Sequence, residues 1–375
     1  MDEIARTRAA RMLHHRKGAL SLGDPVGPAI SLSTTFHLPQ ANGAAHVYGR
    51  SGQPMWDAVE AQLGILEDAE VVAFPSGMAA ISAALIVTLK AGARVMIPSD
   101  GYYVTRLLGR DLLRPYGVEV VEVPTRAMAE ADFAGCDVVY IETPSNPGLD
   151  AVDIAALCAR ARAAGAMVIA DNTTMTGLLQ RPLDLGASLV VAADTKAPAG
   201  HSDALFGHVS GRDPGLMSRI REWRRQSGAV PGPFEAYLLH RGLETLELRL
   251  ERMCATAGLV AERLSGQPGV RGLRYPGLAG DPAHDITQRQ ASGFGFLIGF
   301  ELDNEARAEA FLAACPFIVQ ATSFGGTHTA AERRARWGDA VSPGFIRLSV
   351  GIEPAEVLWE AIRAALVEVK AADRA

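Results

Sequence analysis

The chain has 375 residues, is 48% hydrophobic and carries a formal net charge of −6. That length can bury a large core and predicts two domains. The absence of a long basic block argues against nucleic acid as the main partner, and no apolar run is long enough to span a bilayer. The opening MDEIARTRAARMLHHRKGA lacks the apolar core of a secretory signal. Cys136, Cys158, Cys254 and Cys315 are scattered without CxxC spacing, which predicts reduced thiols and a cytoplasmic location. His14 and His15 are too few to suggest a metal site.

Residues 1–45 have weak periodicity and several Gly and Pro, which predicts an N-terminal arm, with an extended segment over 28–36. Trp56, Val59, Leu63 and Leu66 recur at helical spacing, so a helix should start near Pro54. Just before it, Tyr48 and Arg50 sit in a Gly-containing loop, and Arg is suited to bidentate phosphate binding. A strand over 71–74 runs through Pro75-Ser76-Gly77 into an Ala-rich helix. Free N–H groups and the helix dipole make such a turn an anion site, although an ordinary strand-to-helix turn capped by Ser76 is the plain alternative. A strand over 94–98 leads to Tyr102 and Tyr103, where an aromatic can stack on a flat ring. A helix over 105–116, a strand over 118–123 and a short helix near Ala127 follow.

A strand over 137–141 runs into Glu142-Thr143-Pro144-Ser145-Asn146-Pro147, where Asn146 is either a ligand or a turn residue. After a helix over 153–164 comes AMVIADNTTMTGLLQRPLDLGASLVVAADTKAPAGHSDALFGHVS, residues 166–210. Its short apolar runs, 167–170, 189–192 and 204–209, predict strands buried on both faces. Asp171 ends the first run and Lys196 follows the second. A lysine there is partly desolvated, which frees its amine for Schiff-base chemistry. The alternation predicts a mainly parallel sheet with right-handed crossovers.

Beyond Pro231-Gly232-Pro233 a long helical pattern begins, and a smaller α+β domain follows. Its strands are predicted over 270–275, 294–300, 317–321 and 345–350, with helices from Glu305 and Pro354. The predicted boundaries are therefore 1–45 for the arm, 46–232 for a large domain and 233–375 for a C-terminal domain. Arg347 lies in a largely apolar strand, where a core-facing arginine needs an anion.

Together DNT at Asp171, TK at Lys196, GHSD, Y-x-R-x-G-x-P, the Ser76-Gly77 turn, E-T-P-S-N-P, S-x-G-G at Ser323 and RLSVGIE resemble the cysteine/methionine-metabolism family of pyridoxal-phosphate enzymes. Cystathionine γ-lyase, cystathionine γ-synthase and methionine γ-lyase belong to it. The resemblance implies a fold-type I, aspartate-aminotransferase-like α/β architecture with pyridoxal 5′-phosphate as cofactor. It makes Lys196 the Schiff-base and proton-transfer residue, pairs Asp171 with the ring nitrogen, and stacks Tyr102 on the ring. Ser76, the amides of Gly77 and Met78, Thr173 and Thr195 are implied around the cofactor, with Asn146 on its 3′-oxygen. Arg347 would fork onto the substrate α-carboxylate near Ser323. Tyr48 and Arg50 would reach the cofactor phosphate of a neighbouring subunit, in a homotetramer built as a dimer of dimers with shared sites.

Some positions depart from the pattern. Ala193 stands three residues before the lysine where Ser is common, and Ala197 replaces a Tyr. Asp194 adds a carboxylate near an anion site and should point away. Val47 and His328 stand where a cystathionine γ-lyase has acidic residues suited to cystathionine's distal ammonium. The expected reaction is β- or γ-elimination from a substituted amino acid, cystathionine γ-lyase-like, with γ-replacement as the alternative. A non-catalytic cofactor-binding regulator fits less well, because a binder needs no carboxylate fork. A nucleotide-binding oxidoreductase lacks its G-x-G-x-x-G.

Overall fold

The computed structural model describes residues 1–39 and 43–372. The expected arm over 1–45 therefore includes three residues, 40–42, outside the described ones.

Seven strands form the first sheet: β1 (Glu70–Phe74), β2 (Arg94–Pro98), β3 (Glu119–Val123), β4 (Val138–Glu142), β5 (Met167–Asp171), β6 (Leu189–Ala192) and β7 (Gly207–Gly211). Their order is β1-β7-β6-β5-β4-β2-β3. β3, β2, β4, β5 and β6 run parallel, whereas β7 pairs antiparallel with both β6 and β1. β4 to β7 are buried almost throughout, as expected of strands with helices on both faces. The seventh strand starts three residues later than its apolar run. Phe206 precedes it in a loop and exchanges hydrogen bonds with the Thr195 hydroxyl instead of entering the ladder.

The second sheet contains β8 (Arg271–Arg274), β9 (Leu297–Glu301), β10 (Val319–Gln320), β11 (Ala330–Arg333) and β12 (Phe345–Ser349), in the order β10-β11-β12-β9-β8. β10 is only two residues long, shorter than its apolar run suggests, and β11 had no strand signal of its own. Residues 105–116 are less regular than a single helix. The α-helix Tyr103–Leu108 passes into a wide π turn, Gly109–Leu113.

Helices join the two sheets into one packed body. Pro54–Glu67 begins with proline at its first turn, buries Trp56, Val59, Leu63 and Leu66, and ends at Asp68 with φ 52°. Gly77–Thr88 is apolar on most faces because it lies between the first sheet and the helix Pro214–Ser227. The long helix Leu246–Leu264 buries Leu250, Met253, Ala257, Val260 and Leu264 in the largest core, which also holds Ile298, Phe300, Ile346 and Leu348 of the second sheet. Within the expected arm, residues 3–13 form a helix packed on the same chain. Asp2 caps it through Ala5 N (2.8 Å), and buried Arg8 donates to Leu66 O (3.0 Å). Among the described residues no helix is long and apolar enough to cross a membrane.

Candidate active site

A cavity of about 410 Å³ opens where the C-terminal ends of β4 and β5 and the loop after β6 meet the second sheet. Ligands of open α/β sheets bind at such strand ends. Its floor is the β6 loop. Thr195 is clamped to Phe206, just before β7, by three bonds: hydroxyl to Phe206 O at 3.1 Å, Phe206 N to hydroxyl at 3.0 Å and Thr195 N to Phe206 O at 3.2 Å. Lys196 follows it and reaches across the cavity to donate from Nζ to Ser323 Oγ at 2.8 Å, with the Phe324 ring 5.0 Å away. Burial, with the Arg347 charge adding to it, pulls the Lys196 amine down to about 8. The amine is thus poised to lose its proton near neutral pH.

Asp171 ends β5 and is buried. Its Oδ2 accepts from Tyr140 Oη at 2.8 Å and its Oδ1 from Thr173 N at 3.0 Å. Burial raises its pKa against these bonds, so a cation brought to its edge relieves a real cost. Thr173 also accepts from Ala193 N at 2.9 Å, which ties the Asp171 turn to the lysine loop.

The Ser76-Gly77 turn does open a helix. Ser76 caps the helix Gly77–Thr88 by accepting from Ala79 N at 3.1 Å, and the first-turn amides of Gly77 and Met78 have no partner carbonyl within the helix. The turn presses on its surroundings. A Cβ on Gly77 would lie 2.5 Å from Ala193 Cβ, and one on Gly207 would lie 2.6 Å from Gly77 N. The missing side chain at Gly77 is therefore a packing requirement of this turn. The Thr195 hydroxyl lines the cavity but donates to Phe206 O, so it braces the loop in this structure.

Tyr102 and Asn146 share one support that sequence reasoning passed over. Glu142, the last residue of β4, accepts from Tyr102 N at 2.6 Å with Oε2 and from Asn146 N at 2.9 Å with Oε1. Burial and the neighbouring Asp171 push Glu142 up to about 8. Asn146 turns its Oδ1 toward Arg347 (Nη1, 2.6 Å), leaving its amide nitrogen as the donor for an oxygen ligand. The motif contained Glu142, but only the tertiary contact identifies its task.

Arg347, in the middle of β12, is 3% exposed. Its anion is Glu332 of β11, bonded Nη2 to Oε1 at 2.6 Å, and Nη2 also donates to Ser323 O at 2.8 Å. Burial, with Arg334 nearby, lowers Arg347 to about 10. Ser323 is held at φ 84°, a backbone region few non-glycine residues occupy. Next to it, a Cβ on Gly325 (φ +78°) would meet Ala197 N at 2.6 Å. Arg334 and Trp337 complete the wall, and neither had been singled out from the sequence.

The structure gathers Ser76, Gly77, Met78, Tyr102, Asn146, Asp171, Thr173, Thr195, Lys196, Ser323 and Arg347 around one cavity. It does not bring Val47, Tyr48, Arg50 or His328 to the cavity lining. Val47 and Tyr48 are 50% and 43% exposed, the Arg50 guanidinium lies 5.3 Å from the Tyr48 ring, and His328 is exposed. Asp194 points away, as expected, into a buried pair: its Oδ2 lies 2.8 Å from His208 Nδ1. Burial opposes charge on His208, yet Asp194 overrides it and pushes the imidazole up to about 9. Among the described residues no cluster of His, Cys, Asp and Glu is arranged to hold a metal ion.

Comparison with known proteins agrees with this geometry. A family model described as "Cys/Met metabolism PLP-dependent enzyme" matches residues 11–367. The chain is 46% identical over 349 residues to a putative cystathionine γ-lyase of Streptomyces coelicolor, covering 91% of this chain and 89% of the relative. The crystal structure of cystathionine γ-synthase from Xanthomonas oryzae pv. oryzae in complex with cystathionine superposes with TM-score 0.93 at 33% identity, covering 97% of this chain and 98% of that one. A methionine γ-lyase of Micromonospora echinospora superposes with TM-score 0.90 at 36% identity, covering 96% and 98%. The fold is that of fold-type I enzymes, and the chain belongs to the Cys/Met metabolism family of pyridoxal-phosphate-dependent enzymes, with pyridoxal phosphate as its cofactor.

Proposed function

We propose that this enzyme catalyses γ-replacement: a γ-substituted amino acid loses its leaving group and a thiol takes that place. At the coarser level it is a pyridoxal-phosphate-dependent enzyme acting on sulfur-containing amino acids, with carbon–sulfur elimination or replacement as its chemistry. The convergence of Lys196, Asp171 and Arg347 on one cavity carries the catalytic reading. The close superposition on a cystathionine γ-synthase supports replacement. The S. coelicolor relative favours a second reading, γ-elimination by the same residues.

The residues present fit the cofactor. The Gly77 and Met78 amides at a helix start match a phosphate, buried Asp171 matches a protonated ring nitrogen, and Tyr102 offers a stacking face. When bound, pyridoxal phosphate supplies an electron sink for charge developing on the substrate. The chain's own groups supply the rest. Arg347 binds the α-carboxylate. Lys196, with its lowered pKa and its reach toward Ser323, is placed to take the α-proton, and then a second proton from the β-carbon so that the γ-leaving group can depart. It returns both once the thiol has added at the γ-carbon, the thiol's own proton leaving with the displaced group. Tyr102, fixed through its backbone by Glu142, holds the ring plane.

Tyr48 and Arg50 lie outside their own chain's cavity and are exposed, which suits service to the cavity of a second copy. We therefore read the working unit as at least a dimer, with the homotetramer as its assembled form. The test is product analysis. With an O-acylhomoserine and cysteine, replacement yields cystathionine, whereas elimination yields a keto acid and ammonia. Keto acid as the sole product in the presence of cysteine would transfer the assignment to the lyase reading.

A further inference from the structure

The wall opposite Lys196 carries a charged set with no assigned role. Glu332 of β11 stands in register with Arg347 of β12. Its Oε1 accepts from Arg347 Nη2 at 2.6 Å and from Arg334 Nη1 at 2.5 Å, and its Oε2 accepts from Trp337 Nε1 at 2.7 Å. Arg334 is closed on its other side by Asp339, with Nε 2.7 Å and Nη2 2.5 Å from Oδ2. The side chains of Arg347, Glu332, Arg334 and Asp339 are each 8% exposed or less. Two arginines therefore face two carboxylates, and the set has no net charge.

A substrate α-carboxylate reaching Arg347 adds one negative charge beside a buried carboxylate that already occupies the guanidinium. Two carboxylates sharing one arginine in a desolvated site repel each other strongly. Withdrawing Glu332 to nowhere would leave a buried charge unpaired, which is costlier still. Arg334 and Trp337 remove that difficulty, because they already hold both Glu332 oxygens.

We propose that Glu332 is the resident counter-ion of Arg347, and that Arg334 and Trp337 are positioning residues that take it over when a substrate α-carboxylate binds. The inference rests on the reading of Arg347 as the carboxylate fork. The exchange moves hydrogen bonds only, and no proton or electron changes hands. It gives neighbouring residues opposite signs. Glu332 competes with the substrate, so removing its charge strengthens carboxylate binding. Arg334 draws the competitor away, so removing it weakens binding.

The probe is glycine, which has the α-amine and α-carboxylate and no leaving group. It is titrated into the holoenzyme by calorimetry and by the visible absorption of the lysine-linked cofactor. Glu332→Gln should tighten glycine binding severalfold. Arg334→Gln should weaken it about tenfold, the scale of one charge-assisted hydrogen bond. The double variant should bind at least as tightly as the parent, because Arg334 acts only through Glu332, and KM for a reacting substrate should follow while kcat changes less. Weaker binding by Glu332→Gln would overturn the proposal, because Glu332 would then merely brace Arg347. A double variant as weak as Arg334→Gln would overturn it too. If Arg334→Gln fails to fold, the sign of the Glu332→Gln effect decides alone. Arg347→Lys separates the two levels. Unchanged glycine binding there sinks the carboxylate-fork reading itself, whereas weakened binding combined with the wrong Glu332→Gln sign sinks only the exchange.

Discussion

Replacing Glu142 by Gln tests the support beneath two proposed cofactor contacts, Tyr102 and Asn146, at once. The carboxylate accepts two backbone N–H bonds, at 2.6 Å from Tyr102 and 2.9 Å from Asn146, in a fully buried place. A glutamine has one acceptor oxygen. Its NH₂ group must therefore face the other N–H, leaving that donor unsatisfied at about 1–3 kcal/mol. At the upper end, about 3 kcal/mol expressed in the transition state is roughly a hundredfold in kcat/KM. The strand and the cavity walls remain, so the variant should fold with a lowered Tm and bind the cofactor more weakly. Steady-state kinetics, thermal denaturation and cofactor titration on the same preparation give the three readouts. A variant with kcat/KM within twofold of the parent and unchanged cofactor affinity would refute the assignment of Glu142 as the anchor of Tyr102 and Asn146.

Arg347→Lys should raise KM by at least about thirtyfold with a smaller change in kcat, because a point ammonium cannot replace a bidentate fork; equal losses in both would contradict this. In cofactor-free protein the Lys196 amine, pulled down to about 8 by burial and Arg347, is protonated below that pH and neutral above it. Competitive acylation with peptide mass analysis should therefore show Lys196 labelling rise through a midpoint near pH 8, with Lys17, Lys90 and Lys370 as internal comparisons. A midpoint near the ordinary lysine value of 10.5 would show that the desolvation is not real. Mixing Arg50→Ala with Lys196→Ala protein under subunit exchange should restore part of the activity, and a fully active monomer would disprove the shared site.

Much of the site was legible because its chemistry sits at strand ends. Asp171 and Lys196 each close an apolar run, and the Ser76-Gly77 turn announces a helix start. What escaped notice depends on pairing across long sequence distances. Glu332 meets Arg347 only because β11 lies against β12, and β11 itself reads as a loop with charged residues. The imidazole of His208 and the carboxylate of Asp194 look solvated in sequence, yet they are buried together in the core, joined by one contact of 2.8 Å. The helix over residues 3–13 was obscured because its buried stripe is small, Ala5, Ala9 and Met12, and one of its inward residues is Arg8. The strand over 204–209 slid to 207–211 because Thr195 captures Phe206, a side chain-to-backbone bond that hydrophobic periodicity does not encode.

The proposed chemistry runs through the amine of Lys196, and borohydride reduction of the holoenzyme tests that role most directly. Reduction fixes the cofactor to whichever amine carries it, and proteolysis with mass analysis identifies the peptide. The account predicts the cofactor mass on the peptide containing Lys196 and no covalent adduct in Lys196→Ala protein, which should also lose visible absorption and nearly all turnover. Stoichiometric labelling of Lys17, Lys90 or Lys370, or an active Lys196→Ala variant, would contradict it.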